Sequence, residues 1–191
     1  MKKRLVIFAS GNGTNTQNVI QYFATSKSVE VVCVLSNKKD AKVLERANAA
    51  QIKAVSFSKA EMLSPDGLVK DLKELAPDLI VLAGFLLKFP EIILREFPNK
   101  VINIHPALLP KYGGKGMYGK HVHEAVIANN ETETGITIHY VNEKYDDGAT
   151  IFQTQTEVSP NDSADDVASK VHQLEYKWFP KIIEDVVLKQ S

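Results

Sequence analysis

Short apolar runs recur along the chain, and stretches of helical period fill the gaps between them. Residues 5–9, 31–35, 54–57, 78–83 and 101–104 are apolar almost throughout rather than alternating, which is the pattern of strands covered on both faces. Between them, helices are expected from Thr14 or Asn15, as caps, to about residue 24, from Asp40 to Ala50, and around residues 66–75. This alternation predicts an α/β protein: a mostly parallel sheet with helices on both faces. After Pro106 the texture changes. Residues 113–119 form a glycine-rich loop, followed by a helix to about residue 129. Residues 134–141 and 150–158 then read as two strands, antiparallel through a loop at Asp146. A last helix follows Pro160, with Ser163 and Asp166 at capping-box spacing. Pro180 is expected to kink or break it.

Length and composition narrow this picture. At 191 residues the chain suits a single domain, with halves of about 1–100 and 101–191. Apolar residues make up 44% and charged residues 24%, enough for a full core in a globular protein. Lys plus Arg equals Asp plus Glu, 23 each, so there is no basic field to draw nucleic acid, and small-molecule partners are expected. No apolar stretch has the length of a membrane span. The basic start, Met1 to Arg4, precedes an apolar run too short for a signal core. Cys33 is the sole cysteine, lies in an apolar run and reads as a small buried hydrophobe. With no internal disulfide, a reducing compartment, the cytoplasm, is expected. Monomer and homodimer both remain open.

Candidate chemistry concentrates at the end of the fifth apolar run. Asn103 and His105 are two apart, so on an extended strand both side chains share one face. An amide and an imidazole so placed can grip a carbonyl oxygen and move a proton beside it. Tyr145-Asp146-Asp147-Gly148 is a turn by composition, but it also supplies a carboxylate, which favours and orients a charged imidazole. Ser10-Gly11-Asn12-Gly13-Thr14-Asn15 joins a strand to a helix and has the look of an anion-binding turn. It lacks the third glycine of a dinucleotide fingerprint, with Gln17 in that place, and the Gly-Lys-[Ser/Thr] ending of a nucleoside-triphosphate loop.

Taken together, these segments make the chain resemble the folate-dependent formyltransferases. The family's Asn-x-His-Pro-[Ser/Ala]-Leu-Leu-Pro runs from Asn103 to Pro110, its Asp-x-Gly is Asp146 to Gly148, its Ser-Gly-x-Gly-[Ser/Thr]-Asn is Ser10 to Asn15, and Val81 to Phe85 match Val-Leu-Ala-Gly-Phe. Ser36-Asn37-Lys38 and Leu44 to Ala47 also look like family positions, and the likeness runs from Arg4 to about Pro180. The resemblance implies a Rossmann-like fold and formyl transfer from 10-formyltetrahydrofolate, a co-substrate, to the amine of phosphoribosylglycinamide in purine synthesis, without a metal. Asn103, His105 and Asp146 would be catalytic. Gly13, Thr14, Asn15, His172 and Glu175 would hold the amine substrate. Leu86, Leu87, Lys88, Phe89, Asn142, Glu143, Lys144 and Tyr145 would hold the folate. The family's hydrolase and sugar-amine branches share the same three catalytic residue types, and a non-catalytic nucleotide-binding module is the alternative from another class. The tRNA branch would need an RNA-binding domain for which this length leaves no room.

The chain departs from the family where many relatives carry an arginine, with Leu86-Leu87-Lys88, at Asp147, where glycine is frequent, and in the longer loop at residues 113–119. Met117 and Tyr118 are either mobile loop residues or part of the substrate mouth. His121 and His123 with Glu124 invite a metal reading but lack the i, i+4 zinc pair. His139 alternates with apolar neighbours, as a structural strand residue would. From spacing alone, His172 and Glu175 read as solvated helix surface.

Overall fold

The structure is a computed structural model and describes residues 1–189. Seven strands, β1 (Lys3–Phe8), β2 (Val29–Ser36), β3 (Lys53–Ser56), β4 (Leu79–Leu82), β5 (Val101–His105), β6 (Glu133–Tyr140) and β7 (Thr150–Glu157), join in one sheet of order β3-β2-β1-β4-β5-β6-β7. The first five run parallel, whereas β6 lies antiparallel to both β5 and β7. The helices are α1 (Thr14–Phe23), α2 (Lys42–Ala49), α3 (Lys59–Leu63), α4 (Leu68–Leu75), α5 (Glu91–Glu96), α6 (Lys120–Ala128) and α7 (Ala164–Lys189).

The period of two along each strand divides the core. Leu5 and Ile7 of β1 point to one face, with Val19 and Phe23 of α1, Val43 of α2, Val126 of α6, and Val171 and Phe179 of α7. Val6 and Phe8 point to the other, with Met62 of α3, Leu72 of α4 and Ile93 of α5. Both faces are covered, which is why the strands read as continuous apolar runs. Cys33 is fully buried in the second layer, and burial pushes its thiol up to about 11.

Several local expectations are corrected. Neither Thr14 nor Asn15 caps α1; Gly13 holds the N-cap position with φ 74°, and Thr14 is the first helical residue. Asp40 does not open α2, which starts at Lys42 after Ala41. Two short helices, α3 and α5, were not expected. The first carries a complete capping box between Ser58 and Glu61. The second has only six residues, too few to show a period. The Ser163–Asp166 box forms as the spacing indicates. Pro180 does not break α7, which continues through it to Lys189. Proline deprives the carbonyl four residues back, that of Tyr176, of its helical donor. Here Asn18 of α1 donates its side-chain amide to that carbonyl at 3.0 Å. A neighbouring helix thus satisfies the group the proline leaves open.

Candidate active site

Strands β1 and β4 are neighbours whose onward connections leave toward opposite sides of the sheet. Ligands of parallel sheets bind beyond the carboxyl ends of the strands at such a point. Ser10, just past β1, joins the loops there. Its hydroxyl donates to the Asn37 side chain beyond β2 (2.6 Å) and accepts from the Leu86 N–H beyond β4 (2.9 Å).

A cavity of about 480 Å³ opens at this edge. Its wall combines Asn15 of α1, Asn103 and His105 of β5, residues 114–119, Asp146, and His172 and Glu175 of α7. The residues expected to be catalytic therefore meet those expected near the amine substrate. Asp146 is their junction. Its Oδ2 accepts from the Gly114 N–H at 2.9 Å and faces His105 Nδ1 at 3.6 Å. Its Oδ1 lies 3.7 Å from His139 Nε2 and 3.5 Å from the Asn103 amide nitrogen. The backbone at Asp146 has φ 53°, a left-handed conformation that aspartate tolerates. Gly148 serves close approach instead, since a side chain there would run into the Tyr140 carbonyl.

His139, read from sequence as structural, is buried and belongs to this network. The register of β5 and β6 sets Asn103 directly across from His139. A carbonyl only accepts, so the 2.8 Å contact to the Tyr140 carbonyl makes Nδ1 of His139 a donor. Nε2 is then free to accept from the Asn103 amide at 3.2 Å. That bond orients the amide. Its second hydrogen makes only the 3.5 Å contact to Asp146, at the limit of a hydrogen bond, and is free to turn to another acceptor.

Burial opposes ionisation of Asp146, but the His139 ring, the His105 ring and the Gly114 N–H outweigh it and hold the carboxyl below its usual range. His105 behaves otherwise. Burial is the largest influence and lowers it, and the pull of Asp146 and the Tyr112 carbonyl does not restore it. The expectation that Asp146 holds His105 charged at rest is thus met only in direction. The resting ring is neutral at pH 7, with Nε2–H donating to the Tyr112 carbonyl at 2.7 Å and Nδ1 facing Asp146.

The α7 side of the cavity is less solvated than its helical spacing suggests. Glu175 is 5% exposed, accepts from the Asn15 side-chain amide at 2.8 Å, and is pushed by burial up to about 7. His172 stands at the rim. His123 is buried in the same wall, and burial, with His172 and His105 adding, pushes it down to about 4. Helical geometry splits the His-x-His-Glu segment. His121 turns outward beside Glu124 at 3.7 Å while His123 turns inward. Among the described residues no cluster of histidine, cysteine and carboxylate side chains is arranged to hold a metal. Gly13 and Thr14 sit at the start of α1, next to Asn15 but outside this wall. Gly13 has a packing role as well, since a side chain there would collide with Val43.

On the far side of Asp146 a narrow pocket runs between Leu87-Lys88-Phe89 and Asn142, Lys144 and Tyr145, with Asn103 and His139 at its base. It continues into a cavity of about 430 Å³ lined by Lys59, Met62, Leu63, Leu87, Lys88, Phe89 and Glu143. Leu86 lines the larger cavity. Phe89 is 4% exposed and packs its ring on Phe8. Tyr145 touches all three spaces. The site is therefore two compartments that meet at Asn103 and Asp146.

The formyl transferase family model matches residues 3–183. The chain is 37% identical over 188 residues to the chloroplastic phosphoribosylglycinamide formyltransferase of Arabidopsis thaliana, covering 95% of this chain and 64% of that one. It is 36% identical to the phosphoribosylglycinamide formyltransferase of Haemophilus influenzae, covering 95% of this chain and 86% of that one. Among solved structures, the phosphoribosylglycinamide formyltransferase of Bacillus halodurans superposes with a TM-score of 0.87 at 32% identity, over 99% of this chain and 97% of that one. The Anaplasma phagocytophilum enzyme of the same name gives 0.90 at 30% identity, over 99% of this chain and 88% of that one. A likeness that spans the whole sheet and both compartments shows that this chain belongs to the formyl transferase family, enzymes that move a one-carbon formyl group.

Proposed function

We propose that the protein transfers the formyl group of 10-formyltetrahydrofolate to the amine of phosphoribosylglycinamide, the step of purine synthesis named in its relatives. The observation that carries this reading is the meeting of two compartments at Asn103, His105 and Asp146. The pocket between residues 87–89 and 142–145 suits a flat bicyclic ring, and the cavity beyond it suits the folate tail. Lys59 and Lys88 line that outer cavity and offer positive charge to the tail carboxylates, in a segment where Leu87 replaces the arginine of many relatives. The amine substrate takes the larger cavity. Its phosphate faces the start of α1, at residues 13–15, where the first amides have no helical acceptor. Its ribose and glycine face Glu175, His172 and His105.

The amine nitrogen attacks the formyl carbon, and a new carbon–nitrogen bond forms as the carbonyl electrons move to oxygen. The free hydrogen of the Asn103 amide turns to that oxyanion, and His105 stabilises it when protonated. Asp146, ionised, accepts the proton lost by the amine and lets it pass to the folate nitrogen as the old carbon–nitrogen bond breaks. Holding both substrates in line supplies much of the rate. One domain, a monomer or homodimer in the cytoplasm, suits such a reaction. Among the described residues no helix is long and apolar enough to cross a membrane.

The test is turnover with both substrates. Asp146→Asn and His105→Asn should each lower turnover at least about a hundredfold, the scale of a positioned acid–base group, with affinities changed far less. Near-normal turnover in either purified variant would remove that residue from the mechanism. Failure of the unaltered protein to formylate phosphoribosylglycinamide, with another amine accepted instead, would redirect the substrate assignment.

A further inference from the structure

His105 and His123 line the larger cavity, His139 lines the narrow pocket beside it, and the three rings are held in different ways. His105 is anchored by the Tyr112 carbonyl and His139 by the Tyr140 carbonyl. His123 is 3% exposed, forms part of the cavity wall, and has a buried Nδ1 with no hydrogen-bond partner. That nitrogen is sealed from the cavity, so the ring can meet a ligand only through Nε2. The ring shares the cavity wall with His105 and His172. Burial, the largest influence, and then His172 and His105 oppose a charge on it, so it is a neutral imidazole, with one donor and one acceptor.

We propose that His123 is a substrate contact: its ring hydrogen-bonds the uncharged middle of the amine substrate, a ribose hydroxyl or the glycine amide. This rests on the proposed function and adds a residue to it. The anionic end of the ligand lies at α1 and the reacting amine at His105 and Asp146. The portion between them carries hydroxyl and amide groups, which both donate and accept. A neutral imidazole matches such groups, whereas a lysine or arginine in this place would draw the phosphate away from α1. His123 enters from the first turn of α6, immediately after the loop of residues 113–119, so that loop's position and the ring's are set together.

The experiment combines kinetics with histidine-selective nitrogen NMR on the full chain. His123→Phe keeps the ring and removes both nitrogens. It should raise KM for phosphoribosylglycinamide about threefold to tenfold, the value of one neutral hydrogen bond, while kcat and KM for 10-formyltetrahydrofolate stay within about twofold. His123→Gln should recover most of the affinity. In the unaltered protein the His123 ring nitrogens, assigned by their loss in the Phe variant, should shift when phosphoribosylglycinamide binds and stay put when a folate analogue binds. If the Phe variant does not fold, the nitrogen shifts of the unaltered protein decide. An unmoved His123 signal in a protein that binds and formylates the substrate overturns the contact alone. A protein that neither binds nor formylates phosphoribosylglycinamide overturns the contact together with the function on which it rests.

Discussion

Burial acts in opposite senses on the ionisable residues of this site, and each sense has a chemical use. Asp146 stays ionised because two rings and a backbone N–H compensate its burial. Glu175 has one compensating bond, from Asn15, and burial wins. The consequence for stability has a definite sign. The folded Glu175 carboxyl is raised to about 7 from an ordinary 4.5, so the folded state holds its proton over a range where the unfolded chain has lost it. The cost of Glu175 is absent below pH 4.5, grows as pH rises through that window, and is complete above about 7. Glu175→Gln, an uncharged match in shape, should leave stability unchanged at pH 4 and raise it at pH 8. At about 1.4 kcal/mol per pH unit, the gain is capped near about 3 kcal/mol. Denaturant titrations of both proteins at the two pH values measure it. A variant less stable than the parent at pH 8 would mean that the carboxylate is paid back by a cation not in contact here. The same variant should bind the amine substrate more weakly, as expected when a buried charge is kept for a ligand.

At the scale of elements, α1 and α7 act as one unit. Asn15 bonds Glu175, Asn18 bonds the Tyr176 carbonyl, and the Tyr22 hydroxyl bonds Glu184 at 2.7 Å. The middle bond exists because Pro180 leaves that carbonyl open. Asn18→Ala should therefore cost about 1 kcal/mol in the parent and much less in a Pro180→Ala background, where the helix regains its own donor. Equal costs in both backgrounds, read from a double-mutant cycle by denaturation, would detach Asn18 from the proline. The sequence made the elements legible because the strands of a doubly covered sheet are apolar throughout, and because Ser163 and Asp166 announce a helix start. It left α5 invisible for want of length, and it passed over the readable Ser58–Glu61 box that opens α3. At the site, Asn103, His105 and Asp146 stood out by residue type and spacing. His139 did not, because its place opposite Asn103 is fixed by the β5–β6 register, which depends on a pairing across distant segments. His123 reads from the sequence only as a metal-ligand candidate, since which face of a short helix turns inward is decided by tertiary packing.

On the scale of the whole molecule, one sheet carries both compartments, and the loop of residues 113–119 reaches the junction between them at Asp146. Its residues 114–119 line the larger cavity, and the Gly114 N–H reaches Asp146 directly. The loop is thus bonded to the group that, in the proposed mechanism, stays ionised while the amine attacks. Gly114, Gly116 and Gly119 have φ values of 96°, 90° and 52°, left-handed conformations that glycine adopts without strain. Such a segment can close over bound substrate, and closure has a chemical purpose. A transferase must keep water from the formyl carbon until the amine is in place, and a dry site strengthens the electrostatics that stabilise the oxyanion. Two results are expected from this arrangement. Formate release from 10-formyltetrahydrofolate alone should be slow, and adding phosphoribosylglycinamide should produce fast loss of the formyl group with one formylated amine per folate. Limited proteolysis should cut within residues 113–119 in the free protein and slow when both ligands are bound. Rapid formate release with no acceptor would favour a hydrolase and argue that the junction admits water. Proteolysis unaffected by ligands would leave the transfer chemistry standing and remove loop closure from it, with Gly114 then acting only as a fixed hydrogen-bond donor to Asp146.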